Sequence, residues 1–175
     1  TCAYTFLYTG MSNLGSYLHR VATALDTHAK RFEELDSAAG DGDLGITAGK
    51  IAEGMRAGSQ NLTGDLKADL MNIGREISKS APSTFGTLFA TGFIRASGAV
   101  SVTDGPLENV RKGFQAAFDG ISARGKAQLG ERTLLDALHP AIQALNSAED
   151  LGIALTAARS EEHTSELQSR FGISY

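Results

Sequence analysis

From Leu14 to Leu145 the apolar residues recur at three- and four-residue steps, and no segment sustains the alternation of a half-buried strand. Side chains share a helix face every 3.6 residues and a strand face every 2.0, so this spacing restricts the chain to packed amphipathic helices. Leu14, Leu18, Val21, Leu25, Phe32 and Leu35 form one face of a long first helix, with Ser12 or Asn13 as its expected cap. A second helix is expected over about 46–61. Leu66, Leu70, Ile73 and Ile77 mark a third, opened by Asp65 as N-cap. A fourth, over about 85–100, is apolar nearly all round and is expected to be central. Its end, 99–102, is the weakest helical stretch. Pro106 suits the first turn of a fifth helix, which carries Leu107, Val110, Phe114, Phe118 and Ile121. A sixth holds Leu134, Leu135, Leu138, Ile142 and Leu145, with Pro140 expected to kink it. A seventh begins at Asp150.

Composition narrows the function classes. The 175 residues suffice for one domain with a real core. The formal charge of -4 gives no basic surplus for nucleic acid or an anionic membrane surface. No apolar run reaches the roughly 18 residues of a membrane span. A single Cys excludes an internal disulfide and a cysteine-rich zinc site, and fits a reducing cytoplasm. Twenty Gly is a high count, and it divides in two. Gly54, Gly58, Gly74, Gly92 and Gly113 lie within helical patterns, where close helix packing explains them. Gly40, Gly42, Gly45, Gly86, Gly125 and Gly130 lie in polar loops, where backbone can approach a ligand.

The two ends differ from the body. RSEEHTSELQSRFGISY, residues 159–175, breaks the alanine- and leucine-rich pattern and resembles a translated sequencing-library adapter. It is therefore set aside as a non-native tail. Residues 1–10 are an N-terminal extension of uncertain origin, and the domain proper is expected over 11–158.

LDSAAGDGDLGIT carries the strongest chemical signal. Asp36, Asp41 and Asp43 fall within eight positions around a glycine-flexible turn. A carboxylate at a helix C-terminus is disfavoured by roughly 0.3–1 kcal/mol, and two neighbouring carboxylates add repulsion. A bound cation offsets both. Oxygen donors point to magnesium or calcium rather than zinc, and few carboxylates beside a helix start suit magnesium with a nucleotide phosphate. The spacing does not make an EF-hand. Taken alone, the three residues also read as a solvated acidic turn. SAPSTFGT, from Ser80 to Thr87, enters a helix through small residues whose N–H groups suit a phosphate or an ordinary cap. Gly120 to Ala127 falls short of a P-loop, since Ala127 stands where Ser or Thr is required and no strand precedes it. His139 and His163 receive no role.

Together these segments resemble the L subunit, or nucleotide-binding domain, of dihydroxyacetone kinase. The resemblance rests on Leu35-Asp36 with Gly40-Asp41-Gly42-Asp43-Leu44-Gly45, on Phe85-Gly86-Thr87 followed by Phe93-Ile94-Arg95-Ala96, and on the run from Arg124 to Thr133. It implies an all-α antiparallel barrel or bundle of amphipathic helices with the nucleotide at one rim. It implies magnesium, two ions, held by Asp36, Asp41 and Asp43, and ATP or ADP. By position, Leu44, Gly45, Ile46 and Thr47 approach the phosphates, Ser80 and Ala81 add phosphate contacts, and Gly125 and Leu134 border the adenine. The implied activity is transfer of the ATP γ-phosphoryl group to dihydroxyacetone or a related short ketose. The sugar is held by a separate sugar-binding (DhaK-like) subunit or domain, and a homodimer is a further expected assembly. The alternatives are a phosphotransferase-system form with tightly bound ADP and a non-catalytic nucleotide-binding regulatory module. Leu44 departs from a position usually polar, Thr47 from one often Asn, and Pro82-Ser83-Thr84 from a Gly-Pro-aliphatic segment. The family's final helices find no counterpart, so the domain is expected to be truncated and inactive alone.

Overall fold

The computed structural model describes residues 2–38, 40–150, 152, 153 and 156. Six helices occupy most of them: α1 (Cys2–Ser37), α2 (Leu44–Ser59), α3 (Leu66–Ser80), α4 (Thr84–Ala99), α5 (Pro106–Gly125) and α6 (Leu134–Ser147). No strand occurs among the described residues. Residues 152, 153 and 156 are helical as well, and the Asp150 carboxylate accepts from the N–H groups of Gly152 and Ile153, as a helix cap would. The tail-like stretch, 159–175, lies outside the described residues.

The helix starts follow local chemistry. Asp65 caps α3, its carboxylate accepting from Lys67 N at 3.0 Å and Ala68 N at 3.3 Å. Pro106 opens α5, where its missing N–H removes a donor that would have no partner anyway. Thr133 and Asp136 form a reciprocal capping box at the start of α6. The first helix departs from expectation. Ser12 and Asn13 lie inside α1 rather than capping it, because nothing between Cys2 and Asn13 stops a helix: there is no proline, and Gly10 is the lone glycine. α6 continues through Pro140, and α4 ends at Ala99, leaving 100–102 non-helical.

Each helix packs on the one before and the one after it, and α2 also touches α4. Connections of three to eight residues join them, so neighbours run antiparallel. Among the described residues the series stays open, with α1 packed on α2 and α6 on α5. The core joins Leu18 and Ala22 of α1, Ile51 and Met55 of α2, Ile73 and Ile77 of α3, and Ala90 of α4. The expected central position of α4 holds in part: it meets α2, α3 and α5, while Thr84, Arg95 and Gly98 face outward. Glycine permits the closest approach in this core. A Cβ at Gly54 would lie 2.6 Å from Ile77 Cα, and one at Gly58 2.8 Å from Ile73 Cα. Gly113 does not serve this way, since a Cβ there would sit at an ordinary 3.7 Å from Ala96. Among the described residues no helix is long and apolar enough to cross a membrane.

Candidate functional site

The acidic segment is shaped by the end of α1. Gly40 N donates to the Asp36 carbonyl at 2.5 Å, so the chain turns back immediately after the helix. Gly42 then adopts φ +77°, a left-handed conformation in which a side chain would also collide with Ser37 Oγ. Asp36 Oδ2 accepts from Leu44 N at 3.1 Å and so satisfies the first N–H of α2. Asp43 occupies the N-cap position, but its side chain makes no capping bond. The result is that Asp36, Asp41 and Asp43 each present a carboxylate oxygen within 4.8 Å of the other two. Asp36 is half-buried; Asp41 and Asp43 are exposed, and among the described residues neither carboxylate has a hydrogen-bond or ion-pair partner.

Three like charges so close repel by about 1 kcal/mol per pair in water, and by several times that where protein excludes water. A divalent cation reverses the sign of this interaction. The donor set is all oxygen, and two of its three carboxylates are uncommitted, which suits a hard cation that keeps positions for water or phosphate.

The facing wall comes from α4. Ser83 is its N-cap, with Oγ accepting from Gly86 N at 3.1 Å. The buried Thr47, in the first turn of α2, donates its hydroxyl to the same Oγ at 3.4 Å. This contact ties the starts of α2 and α4 together. Between them lies a cleft of about 300 Å³ lined by the three aspartates, Leu44, Thr47, Ser83, Thr84 and Phe85. Among the described residues, no protein group accepts from the N–H groups of Gly45 and Ile46 in α2 or of Thr84 and Phe85 in α4. Two helix N-termini, each with unpaired donors and a positive dipole end, therefore open beside three carboxylates. Such a cleft suits a phosphate chain carrying its own cations. Ser83→Ala is expected to lower stability by about 1 kcal/mol through loss of the cap, seen as a Tm drop of roughly 2–4 °C in calorimetry.

The residues singled out from sequence are placed unequally. Asp36, Asp41, Asp43, Leu44 and Thr47 meet in the cleft. Gly45 is buried with its Cα against the Ala29 carbonyl of α1, and the Ile46 side chain is 61% exposed, so these two can face the cleft only through backbone. Ser80 ends α3 and Ala81 is buried in the turn after it; neither lines the cleft. Ser83, Thr84 and Phe85 stand there instead. The signal for them was present in Pro82, which pushes the preceding residue out of helical conformation and so delays the helix to Ser83, a favourable cap. At Gly86, expected where backbone can approach a ligand, an added Cβ would collide with the Ala81 carbonyl.

Gly125 ends α5, and a Cβ there would lie 3.3 Å from Leu88 Cδ2. Leu88 is one helical turn along α4 from Thr84 and Phe85, on the same face. Leu134 begins α6, so the 126–133 loop that joins α5 to α6 starts beside Leu88, one turn of α4 from the cleft residues. Asp136 organises that loop, accepting from Gly130 N at 2.6 Å through Oδ1 and from Thr133 N at 2.7 Å through Oδ2. Partial burial pushes the Asp136 carboxyl upward, but the N–H groups of Gly130, Thr133 and Arg132 outweigh this and hold it below the ordinary carboxylate value of 3.8. A depressed pKa stabilises the fold above the unfolded value, and that contribution fades as pH falls through the folded value. Amide exchange at Gly130 and Thr133 is therefore expected to stay slow down to about pH 4 and to accelerate, beyond the intrinsic trend, only below it.

The DAK2 domain family matches residues 38–174, which includes Asp41 and Asp43, begins two residues after Asp36 and runs on through the tail-like stretch. The ADP-binding subunit DhaL of the PEP-dependent dihydroxyacetone kinase 1 of Listeria innocua is 29% identical over 136 residues, 77% of this chain and 68% of that protein. The corresponding Escherichia coli subunit is 29% identical over 148 residues, 82% of this chain and 69% of that one. The crystal structure of the dihydroxyacetone kinase from C. freundii, in complex with AMP-PNP and Mg2+, superposes with a TM-score of 0.72 at 23% identity, covering 89% of this chain. This chain spans 29% of that kinase, so the likeness is one of fold over a single part of a longer protein. A family match over most of the sequence places this chain in the DAK2 domain family.

Proposed function

We propose that this chain is the magnesium–nucleotide-binding component of a kinase for dihydroxyacetone or another short ketose. The observation that carries this reading is the cleft in which three clustered carboxylates adjoin the open N-termini of α2 and α4. Asp36, Asp41 and Asp43 would hold magnesium, two ions in the reading that the family resemblance implies. Bound magnesium neutralises charge on the phosphoryl group in transfer. The chain's own residues position that group. Backbone N–H groups of Gly45, Ile46, Thr84 and Phe85 face the phosphates, while Leu44 and Thr47 shape the cleft. Ser80 and Ala81 support the turn that presents Ser83 rather than contacting phosphate themselves. Gly125, Leu134 and the loop between them border the base.

The cleft suits a phosphate chain, and the Listeria innocua and Escherichia coli relatives are named as ADP-binding subunits of dihydroxyacetone kinases, which favours a ketose held by a sugar-binding partner subunit or domain. The donor has two forms. In one, ATP exchanges freely at this site. In the other, ADP stays bound and is recharged by a phosphoryl carrier, which the names of the Listeria innocua and Escherichia coli relatives favour. Calorimetric titration of the full chain with Mg-ATP and Mg-ADP tests the site. Binding of either, abolished by a chelator, supports it, and absence of heat with both rejects it. Ketose phosphorylation on adding a sugar-binding subunit, with ATP or with a phosphoryl carrier, separates the donors.

A further inference from the structure

Asp136 lies outside the cleft, yet both of its carboxylate oxygens are committed to the 126–133 loop. Its two carboxylate oxygens take the N–H groups of Gly130 and Thr133, at opposite sides of the bend that leads into α6. The Thr133 hydroxyl accepts in return from the first turn of α6. Within the same loop, Gly130 has φ +91°, and Lys126 and Arg132 hold left-handed φ values of 57° and 59° without being glycine. Such conformations are disfavoured by roughly 1 kcal/mol or more each, so this loop does not hold its shape by backbone preference. Apart from Asp136, the Glu131 side chain accepts from Gln128 N at 2.9 Å, and the Ser122 hydroxyl donates to the Ala127 carbonyl at a long 3.5 Å. The loop begins at Gly125, which abuts Leu88 one turn from the cleft residues Thr84 and Phe85.

We infer that Asp136 is a positioning residue for nucleotide binding, holding the 126–133 loop in place as the wall that meets the base rather than the phosphates. This rests on the nucleotide reading above. With the carboxylate gone, the loop samples other shapes, and only the fraction in the binding shape accepts the base. If that fraction falls to about a tenth, apparent affinity falls about tenfold. The phosphate half of the site, built from α1, α2 and α4, is untouched by the change.

The test compares Mg-ADP with magnesium tripolyphosphate, which has the phosphates and no base, by calorimetry on the full chain and on Asp136→Asn. The expected result is Mg-ADP binding weakened about tenfold with tripolyphosphate unchanged. Faster tryptic cleavage after Lys126 and Arg132 would accompany it. Equal weakening of both ligands, or unchanged Mg-ADP affinity in a chain whose loop has become cleavable, overturns the inference and leaves the nucleotide reading standing. A native chain that binds neither ligand overturns both. Should Asp136→Asn not fold, amide exchange of the native chain decides. Gly130 and Thr133 slow further with Mg-ADP but not with tripolyphosphate if the inference holds, and respond to both or to neither if it does not.

Discussion

A full chain carrying Asp41→Ala and Asp43→Ala together is expected to keep its own melting temperature and to lose its response to magnesium and nucleotide. For the native chain at a nucleotide concentration one hundred times Kd, binding adds about 2.7 kcal/mol, a Tm rise of roughly 5–10 °C for a domain of this size. The double variant should show none of that rise. Its unliganded stability should hold, or increase slightly, because neither side chain has a protein partner and their removal relieves repulsion with Asp36. Asp36 is a less clean target: it satisfies Leu44 N, so replacing it also unties the start of α2. A full nucleotide-induced rise in the double variant would remove the aspartates from the site. A large drop in its unliganded Tm would show that they serve the fold instead.

Gly54→Ala is expected to produce a large loss of stability for the addition of a single methyl group. The added Cβ would sit 2.6 Å from Ile77 Cα and 2.8 Å from Ile77 N. Both are backbone atoms of α3, so no side-chain rotation relieves the contact and the two helices must separate. Alanine's advantage over glycine inside a helix is about 1 kcal/mol, while overpacking with backbone displacement costs typically 1–3 kcal/mol. Separation also loosens Ile51, Met55, Ile73 and Ile77, all fully buried. The net expectation is a destabilisation of about 2 kcal/mol, or roughly 4–8 °C in Tm. Gly49→Ala is the matched control. It lies in the same helix with nothing within 4 Å of its added methyl, so it should raise stability by up to about 1 kcal/mol. Equal effects from the two substitutions would show that helix propensity, not interhelical distance, governs this position.

These contrasts also explain what sequence could convey. The number and order of helices were legible because each carries its own 3.6-residue apolar face, and Asp65 and Pro106 announce their starts through local chemistry. The start of α1 was not, because Ser12 and Asn13 suit a cap as residue types, whereas capping depends on whether the helix stops, and nothing ahead of them stops it. The aspartate cluster was legible as spacing, but its closeness depends on the fold-back at Gly40 and Gly42. The α4 wall was displaced by three residues, from Ser80 and Ala81 to Ser83 and beyond, because α3 extends through Ser80. Loop glycines proved the most ambiguous signal. Gly45 and Gly86 sit where a ligand reading and a packing reading make the same demand for a missing side chain, and the neighbouring Ala29 and Ala81 carbonyls already make that demand by packing.

Because each helix packs chiefly on its sequence neighbours, most of the native contacts form between segments a short loop apart. Closing a short loop sacrifices little chain entropy, so helical hairpins can assemble in any order without waiting for a distant partner. Refolding should accordingly be fast, with α2–α3, where Gly54 and Gly58 meet the α3 backbone, among the first pairs to resist amide exchange. Opening should propagate inward from the ends of the series, α1 and α6, rather than engulf it at once. The candidate cleft straddles the α1–α2 turn and the start of α4, so a ligand spanning it would clamp helices that otherwise unzip independently, and would turn a string of hairpins into one cooperative unit.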